Sequence, residues 1–334
     1  MIDPKEISVV VQGPVVGKKD WPPSKRLTER CLHSIRRFLP DAEVILSTWK
    51  GSQVDGLSFD RLVESEDPGG FLVHEHKGRK IFFNCSRQIV SAREGLRVAK
   101  RPYAVKFRSD MVFESAGFLD YFGRYPRRAA EWAVFKERVV VGSLFSRDPA
   151  RLFPQPFCPS DWFSFGRHED VLDLWDVPLV PEEFCTWFRN HPRPENRYDD
   201  SDLRFAPEQY LWLSFLRKHA EVPCEHQWDY GPHNARIHEL TFANNLVIAS
   251  ARQLGFRFLK YRFGFVNAVS VYDHAGWQEL YTRHCDPAFT PRHTFMSRMK
   301  RLVARFLKWQ PWLLPPIEKL EYHFLKWTAL RLPK

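Results

Sequence analysis

Short apolar runs alternate with amphipathic stretches over the first third of the chain. Ile7 to Val11 is a β-rich run closed by Gly13-Pro14, which predicts a strand ending in a turn. Leu27 to Phe38 sets Cys31, Leu32, Ile35 and Phe38 at helical spacing and stops before Pro40. Residues 43–48 read as a second strand, and Arg61-Leu62-Val63-Glu64 as a weaker third that runs into Asp67-Pro68-Gly69-Gly70. A helix over 84–99 and a strand over 103–107 complete a β-α-β-β-α-β order. Strands alternating with helices predict an α/β fold with a mostly parallel sheet and helices on both faces.

After Asp110 the pattern turns mixed. Val134-Phe135, 139–141 and 162–166 read as strands, and 170–175 and 207–219 as helices. The stretch 187–204 is rich in Pro, Asn, Asp and Arg and reads as a long loop, a lid or a disordered segment. Residues 296–309 divide cleanly on a helical wheel. Met296, Met299, Leu302, Val303, Phe306, Leu307 and Trp309 take one face, and Arg298, Lys300, Arg301, Arg305 and Lys308 the other. A second, less regular helix is predicted over 317–330. The chain therefore reads as a domain over 1–290, with halves 1–110 and 111–290, and a basic amphipathic tail over 291–334.

Charge sharpens this division. Between Arg292 and Lys334 ten Lys/Arg stand against two Glu, a surplus of eight within a net charge of +10, so the rest of the chain is nearly neutral. A uniformly basic nucleic-acid binder would not look like this, so nucleic acid is not an expected partner. The tail instead has the composition of a helix lying on an anionic membrane surface, or of one packing its apolar face on the domain. Six scattered cysteines form no Cys-x-x-Cys pair, which argues against a zinc site or a disulfide framework. The opening Met1-Ile2-Asp3-Pro4-Lys5-Glu6 lacks a basic segment followed by an apolar one, so the expected location is cytoplasmic, peripheral on the inner face of the membrane.

Candidate chemistry centres on Arg108-Ser109-Asp110, at the end of the strand over 103–107. Ligands of open α/β sheets sit at the carboxyl ends of strands, and a carboxylate there can hold a divalent cation against a diphosphate. A strand-end Asp that caps a turn is the structural alternative. Upstream, Asn84, Arg87 and Gln88 open a helix that leads into this strand.

These residues resemble the nucleotide-binding half of GT-A glycosyltransferases. The chain further resembles the WavE lipopolysaccharide synthesis family through Val9-Val10-Val11-Gln12-Gly13-Pro14, Leu46-Ser47-Thr48-Trp49, Asp67-Pro68-Gly69, Arg87-Gln88-Ile89-Val90-Ser91, Lys106-Phe107-Arg108-Ser109-Asp110, Ser160-Asp161-Trp162-Phe163 and Pro207-Glu208-Gln209-Tyr210.

The resemblance implies a GT-A-like fold and sugar transfer from a nucleotide sugar to a lipopolysaccharide-core, capsule or other lipid-linked acceptor. It implies that Gln12, Gly13 and Asp67 contact base and ribose, against a bland reading as turn formers. Asn84 and Arg87 would face phosphate from a helix N-terminus, or else serve as a cap and a solvated cation. Asp110 would bind Mg²⁺ or Mn²⁺, with His233 as a second ligand read in a turn. Arg108 stands where the usual motif has its first carboxylate, and it can itself touch phosphate.

Asp161 and Glu208 are both candidate general bases for the acceptor hydroxyl, Glu208 being equally at home in an ordinary first helical turn. Two alternatives stay open: a metal-independent CMP-sugar transferase, and a glycan- or lipid-binding scaffold with a degenerate transferase fold.

Overall fold

The computed structural model describes residues 2–17, 20–76, 79–195, 201–259 and 264–317. The first part of the chain forms β1 (Ile7–Gln12), α1 (Leu27–Phe38), β2 (Glu43–Trp49) and β3 (Arg61–Ser65). An antiparallel pair follows, β4 (Phe71–His76) and β5 (Arg79–Phe83), and then α2 (Cys85–Arg97) and β6 (Tyr103–Arg108). Next come β7 (Met111–Phe113), β8 (Val139–Gly142), β9 (Phe163–Arg167), α3 (His168–Trp175) and the short helices α4 (Glu182–Cys185) and α5 (Trp187–Asn190). The remainder holds α6 (Pro207–Leu216), α7 (Pro232–Asn245), β10 (Leu246–Ala249), α8 (Ala251–Leu254), β11 (Phe256–Phe258), α9 (Phe265–Ser270), α10 (His274–His284) and α11 (Phe295–Trp309).

A seven-stranded sheet in the order β10-β8-β9-β6-β1-β2-β3 forms the centre. Every neighbouring pair in it is parallel except the two made by β9, which runs against both β8 and β6. This is the expected mostly parallel α/β architecture. All six residues of β1 are buried, as befits a central strand covered on both faces, and the sequence accordingly shows an apolar run rather than alternation.

Helix α2 lies directly on β1 and β2. A methyl group on Gly95 would come within 2.4 Å of Val10 Cγ1 and 2.9 Å of Ser47 Cβ, so only glycine allows this approach. The opposite face of β6 is aromatic. Phe107 stacks on Phe113 with ring centres 4.2 Å apart, and Phe163 and Phe256 meet Phe107 edge-on.

Several elements differ from the sequence reading. Val134-Phe135 is not a strand: the N–H groups of both residues donate to Asn245 Oδ1, a side chain that takes the place of a neighbouring strand. The stretch 187–204 begins with α5, while its residues 196–200 lie outside the described ones. Helices α7 and α10 and strands β4, β5, β7, β10 and β11 have no counterpart among the predicted elements. The second tail helix over 317–330 falls, beyond Ile317, outside the described residues.

Candidate functional site

A cavity of about 430 Å³ opens where β1 and β6 end and α2 begins. It brings together Gln12, Gly13, Asp67, Asn84, Arg87, Arg108 and Asp110, all seven residues predicted to bind the donor. Gln12 is buried in its wall, its Oε1 accepting a 2.7 Å hydrogen bond from Ser91 Oγ on α2. Gln88, one turn earlier, lines the same wall and has a buried Oε1 without a partner among the described residues.

Arg87 is held as a fork. Its Nε and Nη2 donate to the two oxygens of Asp67 at 2.7 and 2.8 Å, and its Nη1 donates to Asn84 Oδ1 at 2.8 Å. Asn84 therefore orients Arg87 instead of capping α2, where its side chain makes no capping bond. Asp67 is held below the ordinary carboxylate range, first by its hydrogen bond from Arg87. It also accepts from the Gly69 N–H at 2.9 Å. A Cβ on Gly70 would fall 2.6 Å from Asn84 Oδ1, so the Asp67-Pro68-Gly69-Gly70 turn is shaped around this cluster.

Arg108 and Asp110 form a second fork. Arg108 Nε and Nη2 donate to Asp110 Oδ1 and Oδ2 at 2.9 and 3.0 Å, and the guanidinium lies over Trp162 with its Cζ 4.2 Å from the ring centre. Asp110 is only 6% exposed, so it is a buried, paired carboxylate rather than a solvated one. Its neighbour Ser109 donates from Oγ to the Pro14 carbonyl at 2.7 Å and ties the ends of β1 and β6 together.

The two candidate bases are electrostatic neighbours. Burial and then the nearby Asp161 carboxylate push the Glu208 carboxyl up to about 8. Asp161 is buried and its Oδ1 has no hydrogen-bond partner among the described residues. Lys106, fully buried in the middle of β6, donates to the Asp161 carbonyl and lies 4.3 Å from the Trp175 ring centre. Burial draws its amine down to about 7, against the attraction of Asp161.

Lys106 links the two clusters, since Arg108 and Asp110 also act on its charge. No role for Lys106 follows from the sequence alone. The available signal is a lysine in the middle of an otherwise apolar strand, where nothing short of a specific polar environment offsets the cost of burial.

The structure does not bring His233 to this site. It stands exposed in the first turn of α7, not in a turn, and lines a different cavity with Glu131, Glu221 and Arg236. Among the described residues no three His, Cys, Asp or Glu side chains are grouped to hold a metal. The site cavity instead offers two carboxylates, Asp67 and Asp110, each held by an arginine fork. That set is no preassembled cage; a hard cation at Asp110 would have to take its remaining ligands from a bound group or water.

Five of the seven sequence blocks, far apart in the chain, meet around this cavity, and a sixth reaches it through Trp162 beneath Arg108. The model of a family described as WavE lipopolysaccharide synthesis matches residues 7–311, which covers every element from β1 through α11. The chain belongs to the WavE lipopolysaccharide synthesis family. Its role is accordingly in lipopolysaccharide synthesis. No curated protein matches the chain. Among solved structures, 4-diphosphocytidyl-2C-methyl-D-erythritol synthase from Anaerococcus prevotii is similar over 65% of this chain and 100% of its own, at 11% identity and a TM-score of 0.31, a likeness too slight to carry an argument. No helix among the described residues is long and apolar enough to cross a membrane.

Proposed function

We propose that this WavE-family protein is a GT-A-type glycosyltransferase that moves a sugar from a nucleotide donor to a lipopolysaccharide-core, capsule or other lipid-linked acceptor. The observation that carries the reading is a polar cavity at the strand ends with two guanidinium forks, one of them stacked on Trp162, the neighbour of Asp161. The Asp161 carboxylate in turn helps raise the proton affinity of Glu208 into the working range of a base. In this reading Arg87 and Arg108 hold the donor phosphates, and Gln88 Oε1, unpartnered among the described residues, accepts from a ribose hydroxyl or a base N–H. Glu208, less buried than Asp161, takes the proton of the acceptor hydroxyl as that oxygen attacks the anomeric carbon. The bond from the anomeric carbon to phosphate breaks, and its electron pair leaves with the nucleotide. Asp161 serves to raise the basicity of Glu208.

Charge decides what must accompany the donor. Asp67, Arg87, Arg108 and Asp110 sum to zero around the cavity, so an incoming diphosphate meets no net positive charge. Asp110 is the residue that would hold a divalent cation, which when bound would supply that missing charge and stabilise the leaving group. The expected result is that nucleotide-diphosphate sugars raise the melting temperature only with Mg²⁺ or Mn²⁺, and that Asp110→Asn loses the metal-dependent part. Transfer and donor binding indifferent to EDTA would favour a CMP-sugar, whose single phosphate brings less charge into the cavity than a diphosphate. Absence of binding by every nucleotide sugar would leave the scaffold reading.

A further inference from the structure

Helix α11 docks on the protein through its narrow edge. Ser297, Ala304 and Leu307 are buried, the latter two packing with Phe153, Val266 and Val269 in a small apolar cluster separate from the main core. At 100° per residue these positions define one side of the helix, and the opposite side carries Phe295, Met299, Leu302 and Phe306. That opposite side is open. Phe295 is 78% exposed, Leu302 57%, Phe306 52% and Trp309 77%. The sequence offers two fates for the apolar face, a membrane or the core, and the structure turns only Val303 and Leu307 of it inward.

We propose that this stripe is a docking surface for an anionic lipid bilayer, independently of the transferase reading. Two observations select that occupant. Arg298 and Arg305 are exposed along one flank of the stripe, so apolar insertion and phosphate contact occur together. Trp309 and the 68%-exposed Trp312 close one end with rings suited to the headgroup level. Two other cations of the helix are directed to the protein: Arg301 pairs with Glu279, and Lys308 donates to the Ala150 carbonyl at 2.8 Å. A 15-residue helix is roughly 22 Å long, enough to lie along a surface but too short to span one.

The docking side also reaches towards the chemistry. Phe153 of the small cluster lies under Arg147, 4.9 Å from ring centre to guanidinium carbon, and Arg147 acts electrostatically on Glu208.

Flotation of the full chain with vesicles tests the surface. Vesicles of phosphatidylglycerol and phosphatidylcholine should carry the protein upward, and pure phosphatidylcholine should not. Arg298→Gln with Arg305→Gln should weaken binding roughly thirtyfold. Leu302→Glu with Phe306→Glu, both at exposed positions, should abolish it while circular dichroism stays unchanged. Equal binding to neutral vesicles, or no binding to either, would overturn the proposal. So would a dimer in solution that the two glutamates dissociate, because the stripe would then belong to a second copy.

Discussion

At the scale of single residues, the site is a set of charges held by other charges. Arg87 and Arg108 are each gripped by a carboxylate in two-point geometry, which fixes the planar forks. Glu208 is the exception, a carboxyl whose burial and neighbour favour the protonated form. Its folded value of about 8 lies above the ordinary 4.5, so the folded chain keeps a proton that the unfolded chain has released. This group therefore lowers stability as pH rises from about 4.5 to about 8. For catalysis the sign is opposite, because the base must be ionised. Transfer should increase with pH up to about 8, and Asp161→Asn should shift that rise to lower pH by removing the like charge. A pH–rate series on both proteins checks this, and an unmoved rise in the variant would separate Asp161 from Glu208.

At the scale of elements, the sequence is informative where pattern is local. The runs at 7–11, 43–48 and 103–107 and the helices around 27–38 and 84–99 correspond to β1, β2, β6, α1 and α2, because burial of one stripe or one run specifies each of them. The cavity residues are legible for the same reason: they lie at or near the ends of these elements. Helix α7 is not legible, because its polar residues are buried by distant partners. Asn244 and Asn245 serve the 129–135 loop, and His238 accepts the Phe157 N–H at 2.9 Å. The proximity of Asp161 to Glu208 is equally hidden, since it depends on where tertiary packing sets α6. Contact between α2 and the sheet makes a sharper test. Gly95→Ala has no room to relax against the branched Val10 side chain, and such overpacking costs about 1–3 kcal/mol. Urea denaturation should show that loss, with Arg87 and Gln88 displaced and donor binding weakened in parallel. An alanine variant as stable as the parent would mean that α2 sits farther from β1 than described.

At the scale of the whole molecule, charge and apolar surface are distributed by region. The chain's positive excess is concentrated from Arg292 onwards, and α11 displays both part of that charge and the most exposed rings. Strand β9 has a different consequence. Within the central sheet it is the strand through which β8 and β10, from the second half of the chain, join those of the first. It does so inside the sheet, pairing Phe163 through Arg167 with Phe107 through Tyr103. Lys106 faces Ser164 across this seam. A hinge between the halves would have to tear a buried ladder of hydrogen bonds, so opening and closing over a substrate is left to loops. Melting must follow the same rule. Far-ultraviolet circular dichroism and tryptophan fluorescence should trace one coincident transition, the halves being a single cooperative unit. Two separated transitions would show that the seam yields before the rest of the sheet.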